Sequence, residues 1–409
     1  MRWSDQGMKF ALLGIDADSL RLAETVQSDA DHELIAVYDA HSKSGNTPLD
    51  AVRLPPSQSW ESILGSLSCD AVIVSQMPGQ DPDLRADQLR KLVQLDVPLL
   101  VVQPACEAII GYELEMIRAD NRCVVYPFVP GAQHPAIKKM RAILQEQSGD
   151  ENPPAEQLVF ERPLASRKRD EVLRRFMRDV HLMRKVMGKV QQIAAMGAGE
   201  DDLVYTSLNV QLRFQNGVLA HWALKPELEN LEARLTAIGS SKTVELSMGT
   251  NEANWSLRLD QGNAGESFTF PAFDSYQDGL CEFVSAVERN TFEVGWNASC
   301  RDIEISETIR DALRRRRTID LYEEEHSEEA TFKGLMALGG CGLLSFGVIL
   351  LLIAGVVEGL KLPLRNNALW QRWPLFLLVL VLVFLLLQLL QLVFQRESVS
   401  DSSQVVLRK

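Results

Sequence analysis

Short apolar runs alternate with amphipathic stretches along the first third of the chain. Lys9–Gly14 precedes a helical pattern over Ser19–Gln27, and Glu33–Asp39 is a second apolar run. Ala71–Ser75 precedes a helical pattern over Asp83–Leu95, and Pro98–Gln103 precedes one over Glu107–Ala119. Cys123–Tyr126 is the fifth run. Strands that are apolar on both faces, separated by helices, predict a parallel sheet covered on both sides. This places a Rossmann-like α/β domain over residues 8–127, where ligands lie beyond the C-terminal strand ends.

From about Glu156 the pattern changes. A strand over Gln157–Glu161 and a helix over Arg169–Met187 come first. Strand-like segments follow near Val190–Gly197, Val204–Phe214, Val218–Leu224, Glu232–Ile238, Thr243–Leu246 and Trp255–Leu259. Asn216-Gly217 between two of them is a strong hairpin signal, because both positions of the turn need positive φ. Helices over Ser275–Glu288 and Ala298–Arg317 close the unit. Residues 128–322 therefore read as an α+β domain with an open, mostly antiparallel sheet.

The last part reads differently again. Gly334–Val357 and Pro374–Gln395 are 24 and 22 residues without a charge. Each exceeds the roughly 20 residues that a helix needs to cross a bilayer. The expectation is an acidic linker over 323–333, a transmembrane helical hairpin over 334–357 and 374–395, and a polar tail over 396–409. Eight basic residues flank the outer ends of the two segments, against three in the connecting loop, which predicts both termini in the cytoplasm. Neither segment holds an ionisable residue, so an anchor is expected rather than a conduit.

Charge narrows the partners. The 409 residues carry a net −13; residues 358–409 hold six basic and three acidic side chains, so the preceding part carries −16. A nucleic-acid binder needs a basic footprint, and this acidic body excludes that partner. Six scattered cysteines with no C-x-x-C pair suit a reducing compartment. The first residues lack the apolar stretch of a cleavable signal, so the body is expected to stay where it is made. No His, Cys or Asp spacing resembles a metal site, and His134 and His221 read as satisfied or surface imidazoles.

Several stretches share an order with one known family: MKFALLGIDADS, ELIAVYDA, DAVIVSQMP and PLLVVQPA, then HPAIKKMRAI, DVHLMRKVMGKVQQIAAMG, VQLRFQNGVLAHW and LTAIGSSKTVEL. On these, residues 8–322 resemble the glucose–fructose oxidoreductase / inositol dehydrogenase / MocA family. The resemblance implies NAD or NADP as cofactor, oxidoreductase activity on sugars or polyols, and oligomers formed through the second domain's sheet. It also implies cofactor positions at Gly14, Asp16, Ser19, Asp39, Gln76 and Pro104. The family's catalytic positions map to Gln103, Arg174 and Arg178, with His181 replacing a further family aspartate.

These positions have lost the expected chemistry. Gly14-Ile15-Asp16-Ala17-Asp18-Ser19 keeps the first fingerprint glycine alone. Asp16 stands where backbone and pyrophosphate should meet, unless Asp18 or Ser19 simply caps the next helix. Gln103 stands in the place of the family's lysine and cannot exchange a proton near neutral pH. Arg174 and Arg178 replace an acid/base pair and are poor proton acceptors. A one-turn slip puts His181 in the catalytic role, with Met177 in the acid's place. Arg174, Arg175 and Arg178 form either an anion pocket facing the cleft or a solvated helix face. The expectation is a membrane-anchored, homo-oligomeric binding, scaffolding or sensing module with no working cofactor site, taking a small anionic or sugar-like ligand. The alternative is an active NAD(P)-dependent oxidoreductase on a sugar, polyol or related substrate, with His181 or Tyr126 moving the proton.

Overall fold

A computed structural model describes residues 7–38, 60–61, 63, 69–76, 82–146, 155–198, 203–227, 232–262 and 264–321, and in the C-terminal part 345–350, 352–353, 355–356, 378 and 382. The chain forms two units, Met1–Tyr322 and Glu323–Lys409.

The first sheet is parallel, in the order β2-β1-β3-β4-β5. Its strands are β1 (Lys9–Leu13), β2 (Glu33–Tyr38), β3 (Ala71–Val74), β4 (Leu99–Val102) and β5 (Val125–Phe128). Every residue of β3 and β4 is buried, as expected for β-branched runs sandwiched between helices. The helices are α1 (Ala17–Ser28), α2 (Pro82–Gln94) and α3 (Ala108–Asn121), with α4 (Pro135–Gln145) following β5.

A nine-stranded sheet makes the second layer. It holds β6 (Gln157–Leu164), β7 (Val190–Ala198), β8 (Ser207–Phe214), β9 (Leu219–Pro226), β10 (Ala233–Ile238), β11 (Thr243–Met248), β12 (Ser256–Gln261), β13 (Ala264–Thr269) and β14 (Ile319–Asp320). The order is β13-β12-β11-β10-β6-β9-β8-β7-β14, with β6 and β9 parallel and the other neighbours antiparallel. Strand β8 alternates strictly between exposed and buried, so one face meets the core and the other lies open. The helices of this half are α5 (Arg169–Met187), α6 (Ser275–Glu288) and α7 (Trp296–Arg315). The Asn216-Gly217 turn joins β8 to β9 as expected, but of the two residues only Gly217 takes positive φ, +85, so the turn is not the type with both positions left-handed. The edge strands β13 and β14 escape the hydrophobic pattern. AGESFT has few apolar residues and β14 has two residues in all.

The pattern groups Ser275–Glu288 with the second domain, but packing places it elsewhere. Tyr276, Leu280 and Phe283 of α6 share one core with Phe10, Leu12 and Leu22, so α6 and α1 together cover one face of the first sheet. Trp296 and Cys300 of α7 join the core on the opposite face, while Ile305 and Ile309 of the same helix enter the second sheet's core. Helix α7 thus spans both cores, because its apolar stripe runs past both sheets.

Both uncharged C-terminal segments fall largely outside the described residues. Those of 345–350, 352–353 and 355–356 are helical, and Leu352, Val348 and Val356 are exposed. Among the described residues, no helix is long and apolar enough to cross a membrane.

Candidate functional site

The site is built where β1 turns into α1. Gly14 takes a left-handed backbone, φ +78, and its N–H donates to the Tyr38 carbonyl over 2.9 Å. A Cβ there would lie 2.2 Å from Ser75 Oγ and 2.6 Å from the Arg85 guanidinium. Turn geometry and packing therefore both demand glycine. Arg85 is fully buried under this turn and donates to the Leu13 carbonyl and Ser75 Oγ, each over 3.4 Å.

Asp16 follows with an extended backbone and caps α1. Its Oδ1 accepts from the N–H groups of Asp18 (2.8 Å) and Ser19 (2.9 Å), while its own N–H donates to Ser19 Oγ over 2.9 Å. The reciprocal cap corrects the assignment to Asp18 or Ser19, because only Asp16 has the extended backbone that lets its carboxylate fold back over the first turn. Its Oδ2 accepts a third N–H, from Gln76 after β3, over 2.6 Å. Burial pushes the Asp16 carboxyl above its ordinary pKa, while these N–H bonds pull it back.

A second layer of polar contacts crosses the strand ends. Tyr276 of α6 donates to Asp18 Oδ1 over 2.7 Å, and Arg178 of α5 pairs with Asp18 Oδ2 at 2.5 Å. The Gln103 carbonyl accepts from Gln76 Nε2 (3.1 Å) and Arg178 Nε (3.4 Å). Gln103 precedes Pro104 through a cis peptide and is fully buried; neither atom of its side-chain amide has a hydrogen-bond partner among the described residues. Arg174 and Arg178 turn toward the cleft and line a cavity of about 150 Å³ with Asp16, Asp18, Gln76 and Glu171. The alternative of a wholly solvated arginine face is thereby corrected, because Arg178 is drawn in by Asp18.

Gly14, Asp16, Ser19, Gln76, Gln103 and Arg178 thus come together. Pro104 lies one cavity away, beside Arg174 and Cys106. Asp39 is outside the described residues. His181 is elsewhere: its Nδ1 meets Asp302 Oδ2 at 2.6 Å in a separate cleft at the end of β5. Tyr126 donates to Glu282 near that cleft. Among the described residues, no group of His, Cys, Asp and Glu could hold a metal ion. Sequence reasoning missed Tyr276 and Asp302, which lie far along the chain from their partners and carry no local motif. Arg85 did leave a signal, a charge on the same helical stripe as Leu89 and Leu92.

The described chain joins a parallel Rossmann-like sheet to a mixed, open nine-stranded sheet, an architecture that solved structures share. The chain is similar to KijD10, a 3-ketoreductase from Actinomadura kijaniata solved with NADP and TDP-benzene: 15% identity, 75% of this chain and 98% of that one, TM-score 0.62. It is similar to UDP-N-acetylglucosamine 3-dehydrogenase GnnA from Acidithiobacillus ferrooxidans, at 16% identity, 76% and 99% coverage and TM-score 0.61. A myo-inositol dehydrogenase from Corynebacterium glutamicum gives 17%, 78% and 99%, with TM-score 0.60. No family model and no curated protein matches the sequence.

A helix N-terminus offers free N–H groups to a phosphate, and at the start of α1 the Asp16 carboxylate accepts from two of them. The Asp18–Arg178 pair then ties α1 to α5 across the strand ends.

Proposed function

We propose that this protein is a member of the glucose–fructose oxidoreductase / inositol dehydrogenase / MocA family whose cofactor and catalytic sites have been converted to structural ones. It acts as a binding or sensing module. The observation that carries this reading is the Asp16 carboxylate, which accepts from the N–H groups of Asp18, Ser19 and Gln76. A phosphate at ~4 Å from one such carboxylate meets about 4 kcal/mol of repulsion near a protein surface. Micromolar affinity is worth only about 8 kcal/mol. The uncharged segments 334–357 and 374–395 support an anchoring hairpin with the body and both termini in the cytoplasm. The open face of the second sheet supports a homo-oligomer.

Fluorescence titration of the detergent-solubilised full chain with NADH and NADPH tests this reading. No saturable binding is expected up to millimolar coenzyme, and a micromolar Kd overturns it. One observation favours the second reading, an active NAD(P)-dependent oxidoreductase: Asp302 orients His181 as a carboxylate orients a general base. Substrate-dependent absorbance change at 340 nm would select that reading.

A further inference from the structure

Four consecutive arginines, Arg314 to Arg317, close α7 and have no part in the strand-end network. Arg314 and Arg315 stand in the last turn of the helix; Arg316 then turns the chain with a left-handed backbone, φ +50, and Arg317 follows. All four are exposed, and none forms an ion pair or a hydrogen bond among the described residues. Other surface arginines are matched: Arg90 meets Glu113, Arg234 meets Glu245 and Arg258 meets Asp260. Two cations complement the negative end of the α7 dipole, but Arg316 and Arg317 lie past its last turn.

The nearest acids in the chain do not neutralise the run. Asp311, one turn before Arg315, makes no ion pair with it. Asp320 accepts instead from Gln192 Nε2 over 2.8 Å. The next acids are the five glutamates within 323–329. Strand β14 leads the chain away along β7, with Ile319 opposite Ile193 and the Leu321 N–H donating to the Gln191 carbonyl over 2.7 Å. Roughly 20 Å of extended chain separates Arg317 from Glu323, at ~3.3 Å per residue.

We infer that Arg314–Arg317 bind the phosphate headgroups of an anionic lipid leaflet. A guanidinium fork matches phosphate oxygens bidentately and gives up its weak hydration readily. Exposed cations in a row suit a flat array of phosphates, and each basic side chain near such a leaflet is worth roughly fivefold in partition. Sixteen residues, 318–333, lie between the run and the first uncharged segment, so a body anchored there keeps the run within ~55 Å of chain from the bilayer. The inference deepens the anchoring reading above and rests on it for the nearness of lipid.

Hydrogen exchange of the amides 312–320 tests it, with the full chain in nanodiscs of phosphatidylcholine, with or without one-third phosphatidylglycerol. Exchange should be at least roughly threefold slower in the anionic disc. High salt should abolish the difference, because the Debye length falls to ~3 Å at 1 M. Arg314→Gln combined with Arg317→Gln should remove most of it, while the lipid and salt arms use the native chain and do not depend on a variant's folding. Equal exchange in the two discs overturns the inference. Inorganic phosphate that slows exchange equally in the neutral disc also overturns it. So does slowing in both discs that Glu323→Gln, Glu324→Gln and Glu325→Gln together relieve, which assigns the arginines to the chain's own linker. Failure of the anchor reads differently: the chain then elutes apart from neutral discs. Retention on anionic discs alone keeps this inference and sinks the anchor, and retention on neither sinks both.

Discussion

Arg178→Met removes the cation from the Asp18 carboxylate while keeping the length and apolar stem of the side chain. The two side chains are 10% and 18% exposed, so the pair is close to buried. Breaking a buried pair by removing one partner costs roughly 3–5 kcal/mol, because the remaining charge stays desolvated. Tyr276 still donates to Asp18, so the low end, about 3 kcal/mol, is the expected loss. For a folded body of this size, at ~2.1 cal/mol/K of unfolding entropy per residue, that is a fall in Tm of roughly 4–5 °C. Thermal unfolding of the full chain reads the loss directly. The double variant Asp18→Asn, Arg178→Met should recover at least half of it, since no buried charge is then unmatched. A single-variant loss below about 1 kcal/mol, or a double variant no better than the single, would refute the view that this pair joins α1 to α5.

Other positions give independent checks. Gln103→Met should raise stability by about 1–2 kcal/mol in chemical denaturation, because it removes a fully buried amide with no partner and keeps the volume. Gly14→Ala should cost more than ~1 kcal/mol in the same assay, since φ +78 and the 2.2 Å approach to Ser75 both oppose a side chain. His134 is buried and caps α4 by accepting from the Ala136 N–H over 3.1 Å, and burial pushes its pKa below 6.5. The unfolded chain then takes up a proton first as pH falls below 6.5, so stability from this group is present above that pH and lost through the lower folded value. Tm measured from pH 7 to 5 should therefore fall less in His134→Asn, which keeps a cap acceptor and does not titrate.

Much of the site was legible in part. That Gly14–Ser19 and Gln103 depart from the pattern of the family the sequence resembles could be read from the chain, and Asp16, Gln103 and Arg178 do meet. The role of Asp16 could not be read, because a cap and an obstruction differ only in where the carboxylate turns. Nothing near Asp18 in sequence points to Tyr276, 258 positions away.

Periodicity by itself determined the alternation of buried strands and amphipathic helices, hence the parallel first sheet and the change of architecture near residue 156. It did so because burial on both faces, one face or one stripe each leaves its own spacing of apolar residues. Only tertiary structure decided that α6 covers the first sheet, that Asp16 fills the helix N-terminus, and that Arg178 meets Asp18. Those outcomes depend on which polar groups from distant segments converge out of water, and pairing across such separations leaves no periodic trace.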